Sequence, residues 1–210
     1  EERARVVVES FEPPRAGEES DAATTLRALL RHYEEARVLC VTKGAGKATG
    51  AEALNAVFHH LALEDAEARG VLRGAPPLFP GEPVLLVEND YERGLFNGDQ
   101  GVVARLTGEQ LVVVFARGEE LAVFPLEALR PRLRLSYATT VHKSQGSEMS
   151  YVALVLPEED HPLVTRELLY TAVTRSRKSV VVVGKKEVLE AGALRPVRRS
   201  SGIGEKLAKE

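Results

Sequence analysis

The sequence predicts an α/β protein in which a parallel sheet, with helices on both faces, is interrupted by a small antiparallel β-barrel. Four short apolar runs, rich in β-branched residues, alternate with amphipathic segments, and consecutive apolar residues are typical of strands buried on both faces of a parallel sheet. The middle of the chain instead has short strands separated by close turns, which favours an antiparallel unit. The chain has 210 residues, a length that suits one or two domains.

The elements of the parallel sheet lie on both sides of the interruption. Its strands are predicted at residues 6–8, 38–41, 152–156 and 180–183, and its helices at residues 21–36, 52–63 and 163–176. The second helix has one apolar face, formed by Leu54, Val57, Phe58 and Leu61. The available N-caps are Ser20 or Asp21 for the first helix and Asp160 or Thr165 for the third. Helices that alternate with parallel strands predict a layered α/β fold.

The antiparallel unit is predicted between residues 78 and 135. Its strands are expected at residues 83–88, 101–106, 110–115 and 120–125, because turn signals separate these segments. Prolines and a glycine at residues 76–81 mark the entry to the unit, and Pro131 marks its exit. We therefore predict a barrel domain at residues 78–135, inserted into a discontinuous domain formed by residues 1–77 and 136–210.

The overall charge limits the classes of partner. The formal net charge is −3 and the pI is near 6.1, so bulk charge does not indicate a nucleic-acid-binding protein. Any such contact must come from local patches. Two basic clusters are present, and both also fit a solvated surface: Arg130, Arg132 and Arg134, and Arg195, Arg198 and Arg199. No apolar run approaches the roughly 20 residues that span a bilayer, so we expect no membrane contact.

Several single residues carry weaker predictions. Cys40, the one cysteine, lies in an apolar run and is predicted to be a buried hydrophobic residue in a reducing compartment. His59 and His60 are neighbours in a helix, where side chains point about 100° apart, so we expect no metal site there. No cluster of carboxylates predicts a nuclease. The sequence begins at Glu1 without a methionine or a signal peptide, and we interpret it as a fragment of a longer protein.

Residues 43–50 (KGAGKATG) look like a phosphate-binding loop because they follow a predicted strand and precede a helix. A P-loop requires glycine, four residues, and then Gly-Lys-Ser/Thr. Here Ala48 stands where the hydroxyl residue is needed, and Val41 stands where the first glycine is needed. We therefore interpret the segment as a strand-to-helix turn and leave open a single phosphate or backbone contact from Lys43.

The strongest functional signal is residues 139–148 (TTVHKSQGSE). They concentrate small and polar side chains before an apolar strand, and threonine, histidine, lysine and serine can all donate to a phosphodiester backbone. Gly146 allows a ligand to approach the backbone closely, and Glu148 can accept a hydrogen bond from a ribose hydroxyl. A serine-rich helix start is the structural alternative for this segment.

The second signal is residues 168–178 (LLYTAVTRSRK), a predicted helix end with three cations. Cations at a helix C-terminus are favourable by about 0.3–1 kcal/mol, so a purely structural explanation exists. The functional explanation is that Arg175 reaches a neighbouring nucleotide as an arginine finger, a contact worth roughly 10³–10⁵ in rate in other enzymes.

Both segments resemble helicase motifs of superfamily 1. Residues 140–148 resemble motif V and residues 167–177 resemble motif VI. Their sequences are most similar to those of RecD, the alpha subunit of exodeoxyribonuclease V, and its stand-alone relatives. Weaker likenesses are to the start of that family's inserted barrel of the Src-homology-3 type (residues 89–101), the segment after motif IV (residues 50–55) and the end of RecD chains (residues 198–202). The resemblance covers nearly the whole chain and is most specific in residues 83–101 and 137–178.

The resemblance implies the second RecA-like domain of an ATP-dependent 5′–3′ DNA helicase, with an inserted barrel. In this class, ATP with Mg²⁺ is bound between two RecA-like domains, mainly by the first, and the motor moves along single-stranded DNA. Arg175 is the implied catalytic residue, which stabilises charge on the γ-phosphate. The other implied site residues are Gln145, Gly146 and Glu148 at the nucleotide, and Thr140, His142, Lys143 and Ser144 on single-stranded DNA. No metal ligand is implied.

The sequence departs from the family because the first RecA-like domain, with its P-loop and Walker B acid, is absent. We expect that the chain alone does not hydrolyse ATP. Its implied partners are the missing domain, single-stranded DNA and other subunits of an exodeoxyribonuclease V complex, in a bacterial cytoplasm. Whether the whole protein acts alone, and what the barrel and Lys43 contact, stay open. The alternatives are a docking module for DNA or subunits, or the equivalent part of a Pif1-like or relaxase-linked helicase.

Overall fold

The computed structural model describes residues 7–13, 20–44, 48–70, 72, 74–118 and 120–197. In these residues the chain forms a four-stranded parallel sheet and a five-stranded antiparallel sheet, with α-helices packed on both. The predicted mixed α/β class, with a parallel sheet interrupted by an antiparallel unit, is therefore confirmed.

The elements follow one another in an order that separates the two sheets. The strands are β1 (Ala36–Cys40), β2 (Pro83–Leu86), β3 (Gln100–Arg105), β4 (Leu111–Arg117), β5 (Glu120–Pro125), β6 (Leu133–Leu135), β7 (Ala138–Thr140), β8 (Met149–Val155) and β9 (Ser176–Val183). The helices are α1 (Asp21–Glu35), α2 (Ala51–Ala68), α3 (Leu126–Leu129), α4 (Arg166–Val173) and α5 (Lys186–Leu194), and a 3₁₀ turn covers Arg130–Arg132.

Helices cover both faces of the parallel sheet, whose strand order is β7-β1-β8-β9. On one face, Leu39 and Leu154 pack with α4 and with Val188 of α5. On the other face, Cys40 packs with Ala51 of α2. Leu39 and Cys40 enter different cores because successive side chains of a strand point to opposite faces. Burial raises the pKa of the Cys40 thiol to about 12, and the prediction of a buried cysteine is confirmed.

The antiparallel sheet has the order β5-β4-β3-β2-β6 and stays open. Within the described residues β5 pairs only with β4 and β6 only with β2, so the closed ring of the predicted barrel is not found. Both faces are already covered. Val103 and Phe115 pack with α3 on one face, whereas Val102 and Val114 pack against Leu26 of α1 on the other. A sheet covered on both faces buries its apolar side chains without closing on itself.

Several local predictions differ from the structure. The helix predicted at residues 163–176 is shorter, at Arg166–Val173, and Arg177 and Lys178 lie in β9 and not at the helix end. The run at residues 6–8 predicts a strand, but Val7 and Val8 are helical, and residue 6 lies outside the described residues. The short strands β6 and β7 are not predicted, because three residues are too few to show a periodic pattern. The predicted apolar face of α2 is only partly buried, since Val57 is 50% exposed and Leu61 is 54% exposed.

The N-caps are decided by side-chain hydrogen bonds. Ser20 Oγ accepts from the N–H of Ala23 at 3.1 Å, and Thr165 Oγ1 accepts from the N–H of Leu168 at 3.2 Å. The other candidate of the third helix, Asp160, instead accepts a hydrogen bond from Arg195. Ser20 and Thr165 are therefore the capping residues of α1 and α4.

A buried arginine joins the two sheets. Arg37, in β1, donates from Nη1 to Ser136 Oγ at 3.0 Å and from Nη2 to Gln100 Oε1 in β3. Its Nε has no hydrogen-bond partner within the described part of the chain, and burial lowers the pKa of the guanidinium to about 10. Beside it, Asn55 of α2 bonds both the carbonyl and the N–H of Ala138, each at 2.9 Å. These contacts fix the start of β7, which leads into the polar segment.

A buried carboxyl group ties α2 to the antiparallel unit. Glu82 is 0% exposed, and its Oε1 lies 2.6 Å from His59 Nδ1. Oε2 accepts from the N–H of Phe79 at 3.0 Å, and the Tyr137 hydroxyl donates to Oε1 at 3.4 Å. Burial raises the pKa of the Glu82 carboxyl even though these hydrogen bonds favour its charged form.

Candidate functional site

All the predicted site residues except Arg175 lie on a segment that runs between opposite edges of the parallel sheet. Thr140 ends β7 level with Cys40, and Val155 of β8 is level with the same residue. Met149, which begins β8, precedes Val155 by six residues. At about 3.3 Å per residue the chain therefore travels back roughly 20 Å between Thr140 and Met149. Residues 141–148 connect the carboxyl edge of the sheet to its amino edge.

This connecting segment begins with a turn fixed by its own hydrogen bonds. Thr140 Oγ1 accepts from the N–H of Lys143 at 3.4 Å, and the buried Ser144 donates from Oγ to the Val141 carbonyl at 2.8 Å. Gly146 then redirects the chain with φ +90°, a conformation that other residues rarely adopt. The exposed side chains of the segment are His142, Lys143, Gln145, Ser147 and Glu148. Thr140 and Ser144 thus stabilise this turn, and residues 141–146 do not form the helix start of the alternative explanation.

Arg175 lies at the amino edge, between α4 and β9. Its carbonyl accepts from the N–H of Met149 at 2.8 Å, which joins the end of the connecting segment to the end of α4. The guanidinium donates from Nε to the Thr171 carbonyl at 3.3 Å and from Nη1 to the Ser147 carbonyl at 3.4 Å. Arg175 forms no ion pair with a described carboxylate, and its head is held by two long hydrogen bonds to neutral acceptors.

Glu148 and Arg177 form an ion pair across the same edge. Arg177 donates from Nε to Glu148 Oε2 at 2.7 Å, and its Nη2 lies 2.5 Å from the same oxygen. Both side chains are more than half exposed, at 56% for Glu148 and 70% for Arg177. The two segments picked out in the sequence, residues 139–148 and 168–178, are therefore in direct contact through their charged side chains.

A cationic cleft of about 500 Å³ lies at the carboxyl edge, between α2, β7 and the antiparallel unit. Three cations line it, Lys43, Arg134 and Lys143, with one acid, Glu52, whose Oε1 is 3.6 Å from Lys43 Nζ. Thr140 adds a hydroxyl group. An excess of positive charge with hydroxyl groups suits the phosphodiester backbone of a nucleic acid.

A second groove, of about 780 Å³, lies beside α4. Its lining brings His142 and Gln145 beside Glu167 and Thr171, and residues 195–197 close one side. The Oε2 atom of Glu167 accepts from the N–H of Val197 at 2.9 Å, which holds this wall against α4. Neither Arg175 nor Glu148 lines this groove. The site residues predicted at the nucleotide are therefore divided between the groove and the amino edge.

The basic clusters are largely engaged in ion pairs. Arg130 contacts Glu127 at 3.1 Å, and Arg132 Nη1 lies 2.6 Å from Asp90 Oδ2. Arg195 contacts Asp160 at 2.5 Å. Arg198 and Arg199, with the chain end at residues 198–202, lie outside the described residues, as do residues 45–47 of the glycine-rich turn.

The two neighbouring histidines have different partners. His59 contacts the buried Glu82, and His60 Nε2 lies 3.1 Å from Glu64 Oε1. In the part of the chain that the structure describes, no group of three or more His, Cys, Asp or Glu residues is arranged to hold a metal ion. The described helices include none that is long and apolar enough to cross a membrane.

The residues that support the site are not apparent in the sequence. Arg37, Asn55 and Ser136 orient β7 and the junction with the antiparallel unit. Their contacts join residues 99 positions apart for Arg37 and Ser136, and 83 positions apart for Asn55 and Ala138. A local pattern carries no signal for such pairs. The polar character of Arg37 and Asn55 among apolar neighbours is the one available hint.

Comparisons with known proteins find that this chain is similar to helicases. A family model described as the UvrD-like helicase C-terminal domain matches residues 135–183. The chain is 43% identical over 137 residues to the RecBCD enzyme subunit RecD of Mycobacterium tuberculosis (strain ATCC 25618 / H37Rv), covering 62% of this chain and 23% of that protein. It is 36% identical over 138 residues to the ATP-dependent RecD2 DNA helicase of Deinococcus radiodurans, covering 66% of this chain and 19% of that helicase. The predicted resemblance to RecD-like proteins is thus confirmed.

These similarities are limited in length and in structural agreement. The chain spans about a fifth of the length of the relatives it matches, at 23% and 19%. Among solved structures, the Pif1 helicase from Candida albicans matches with a TM-score of 0.44 and 13% identity, covering 98% of this chain and 57% of that one. The Bacteroides Pif1 helicase in complex with ADP-AlF3 and ssDNA matches with a TM-score of 0.42 and 16% identity, covering 91% and 50%. Scores this low do not establish a shared fold.

Proposed function

We propose a motor role for this chain, which is a RecD-like superfamily 1 helicase C-terminal region. It acts as the second RecA-like domain of an ATP-dependent 5′–3′ DNA helicase. One observation carries the proposal: residues 141–148 connect the cationic cleft at the carboxyl edge to Arg175 at the amino edge. A segment that touches both places can transmit a change at one of them to the other.

Single-stranded DNA is the proposed ligand of the carboxyl edge. Lys143 and Lys43 supply charge for the phosphates, because contacts to phosphate are the part of DNA binding that does not depend on base sequence. Thr140 and His142 contact the backbone at the same edge. Ser144, also proposed on this surface, contributes mainly by holding the turn, since its hydroxyl already donates to Val141.

The nucleotide is proposed to lie at the amino edge, as ATP with Mg²⁺ held mainly by a first RecA-like domain. When bound, it supplies the γ-phosphoryl group whose charge must be stabilised during transfer. Arg175 fits this task because, among the described residues, its guanidinium is held by neutral carbonyl groups alone and can take phosphate oxygens in their place. Gly146 lets the backbone approach the nucleotide closely, and Gln145 and Glu148 complete the proposed contacts to the nucleotide.

The proposed domain organisation follows the same family. Residues 1–77 and 136–210 form the RecA-like domain, and residues 78–135 are the counterpart of the inserted unit of the Src-homology-3 type, here an open sheet. The helix α1 packs on that open sheet through Leu26 and Leu30, so the boundary between the units does not follow one sheet each. The proposed partners are the first RecA-like domain, single-stranded DNA and other subunits of an exodeoxyribonuclease V complex in the bacterial cytoplasm.

The test is ATP hydrolysis by the full-length protein in the presence of single-stranded DNA, for the native form and for Arg175→Ala. Loss of an arginine finger costs on the order of 10³-fold or more in rate, and we expect at least about a hundredfold fall in kcat with DNA binding retained. Arg166→Ala is the matched control, because Arg166 is an exposed arginine at the other end of the same helix. If Arg175→Ala keeps the turnover of the native protein, as the control does, Arg175 is only a cation at a helix end, and a docking module is favoured.

A further inference from the structure

The strand β9 is an edge strand whose apolar side chains are exposed. The valine run at residues 180–183 predicts a strand buried on both faces, yet Val181 is 58% exposed, Val182 is 38% exposed and Val183 is 50% exposed. Val180 packs against the core formed with α4 and α5, so one face of this strand is partly covered, whereas Val181 and Val183 on the opposite face are exposed. Parallel sheets are normally buried on both faces. The sequence of β9 therefore suits an environment that the described residues provide on one face only in part.

The backbone of β9 is also open along one side. Within the described residues β9 pairs only with β8, and at eight residues it is the longest strand of its sheet. Its pairing is regular from Ser179 to Val183, and the one register shift lies nearer its start. Exposed edge strands in natural proteins are usually short, charged or interrupted. The valine half of β9 has none of these features, and in the part of the chain that the structure describes no strand pairs with its outer N–H and C=O groups.

Cations lie at both ends of the valine run. Lys178 precedes it, with Nζ 5.4 Å from the ring centroid of the exposed Tyr151, and Lys185 follows it. The neighbouring cations are already paired, Arg177 with Glu148 and Lys186 with Glu190. Among the described residues, no ion pair engages Lys178 or Lys185.

We propose that β9 is a docking edge for an extended partner segment, apolar in its middle and acidic at both ends, which adds as a fifth strand of the parallel sheet. Each requirement comes from one feature. The open strand edge pairs with an extended chain, and the exposed valines pack against apolar side chains. Lys178 and Lys185 attract carboxylates. Strand addition of this kind takes its affinity from main-chain hydrogen bonds and its specificity from the side chains.

A second copy of this chain is a poorer occupant. Because β9 has a cation near each end, pairing with another β9 brings cation near cation whether the strands run parallel or antiparallel. Like charges directly opposite on neighbouring strands are destabilising. The same charges favour an acidic partner in both directions, so charge complementarity selects the partner described above.

The test uses this chain and a fluorescein-labelled synthetic peptide with alternating valine and threonine in its core and two glutamates at each end. We expect saturable binding by fluorescence anisotropy. The same peptide, N-methylated throughout its core, keeps its side chains but cannot donate to β9, and we expect no binding. Equal binding of the methylated peptide would show docking through side chains alone and would overturn strand addition.

Charge reversal supplies the matched protein variant. Lys178→Glu with Lys185→Glu is expected to weaken binding of the acidic peptide roughly tenfold, because like charges opposite each other on neighbouring strands are destabilising. A peptide with lysine ends should gain affinity for the same variant. Unchanged affinities for both peptides would overturn the charge assignment. Sedimentation velocity of the chain without peptide tests the other occupant: a dimer that the acidic peptide displaces would overturn the proposal in favour of a second copy.

Discussion

Glu148 and Arg177 form an ion pair with 2.7 Å between Oε2 and Nε, although 29 positions separate them in the sequence. Glu148 ends the polar segment that leaves β7, and Arg177 lies in β9, just after the arginine proposed to reach the nucleotide. The same two segments meet a second time, where the Arg175 carbonyl accepts from the N–H of Met149 at 2.8 Å. The two polar segments are therefore one structural unit at the amino edge of the sheet.

Breaking this ion pair is expected to affect activity more than stability. Exposed ion pairs contribute about 0–1 kcal/mol, so Glu148→Gln and Arg177→Gln should each leave the Tm nearly unchanged. Each should lower DNA-stimulated ATP hydrolysis by the full-length protein, because the pair fixes the segment beside Arg175. The reversed pair, Glu148→Arg with Arg177→Glu, should recover part of the loss. Strictly additive effects of the two changes would show that the contact has no positioning role.

Neutralising Lys143 should reduce the salt dependence of DNA binding. Each phosphate contact on single-stranded DNA contributes about 0.7 to the slope of log K against log salt, so Lys143→Gln should lower the slope by about that amount and weaken binding to all sequences alike. The measurement is a titration of labelled oligothymidine at several salt concentrations. Lys186→Gln is the control, because Lys186 lies in α5 and pairs with Glu190. Equal slopes for the native chain and Lys143→Gln would remove Lys143 from the DNA surface.

The buried Glu82 predicts a defined pH dependence of stability. Burial raises the pKa of its carboxyl above the ordinary value of 4.5. A raised folded-state pKa gives stability that is present below the unfolded value and is lost as pH rises through the folded value. The groups facing Glu82 are the His59 ring, the Tyr137 hydroxyl and the N–H of Phe79. All three can still pair with a glutamine.

Glu82→Gln should therefore gain stability relative to the native chain as pH rises above 4.5. The measurement is the free energy of unfolding by denaturant across the acid to neutral range. The control is Glu64→Gln, an exposed carboxylate in α2 that pairs with His60. If the difference between Glu82→Gln and the native chain does not change with pH, Glu82 has no raised pKa.

A methyl group at position 192 tests the packing beneath the second groove. Gly192 lies in α5, and a Cβ there would meet the buried Val164 well inside van der Waals contact. Alanine is favoured over glycine in a helix by about 1 kcal/mol, whereas overpacking a core costs about 1–3 kcal/mol. The difference of these two terms leads us to expect Gly192→Ala to lower the free energy of unfolding by up to about 2 kcal/mol.

Two comparisons isolate the cause of that loss. Gly108→Ala should be nearly neutral, because no atom lies within 4 Å of the added methyl group. Val164→Ala should reduce the cost of Gly192→Ala, because the smaller side chain leaves room for it. If Gly192→Ala is stabilising, the helix preference outweighs the contact and the packing between α5 and Val164 is loose enough to admit a methyl group.

The sequence by itself determined the elements that depend on local pattern. The spacing of apolar residues and turn signals predicts the strands β1, β8 and β9 and the helices α1, α2 and α4. It also predicts the interruption by antiparallel strands. The two polar segments could be found for the same reason, since each concentrates its polar residues within about ten positions. For α1 and for α4 the sequence offers two capping residues each, and in each helix a single hydrogen bond identifies the one that is used.

Only the tertiary structure decided which of these elements meet. The pairing of Glu148 with Arg177, and of Arg37 with Ser136 and Gln100, depends on strand order and register rather than on any local sequence signal. The antiparallel sheet stays open, and α1 and α3 cover its two faces. Val181 and Val183 are exposed on β9, whereas Val180 of the same strand packs on the core. The spacing of apolar residues predicts that a strand is buried, but only the packed fold shows whether other elements bury its side chains.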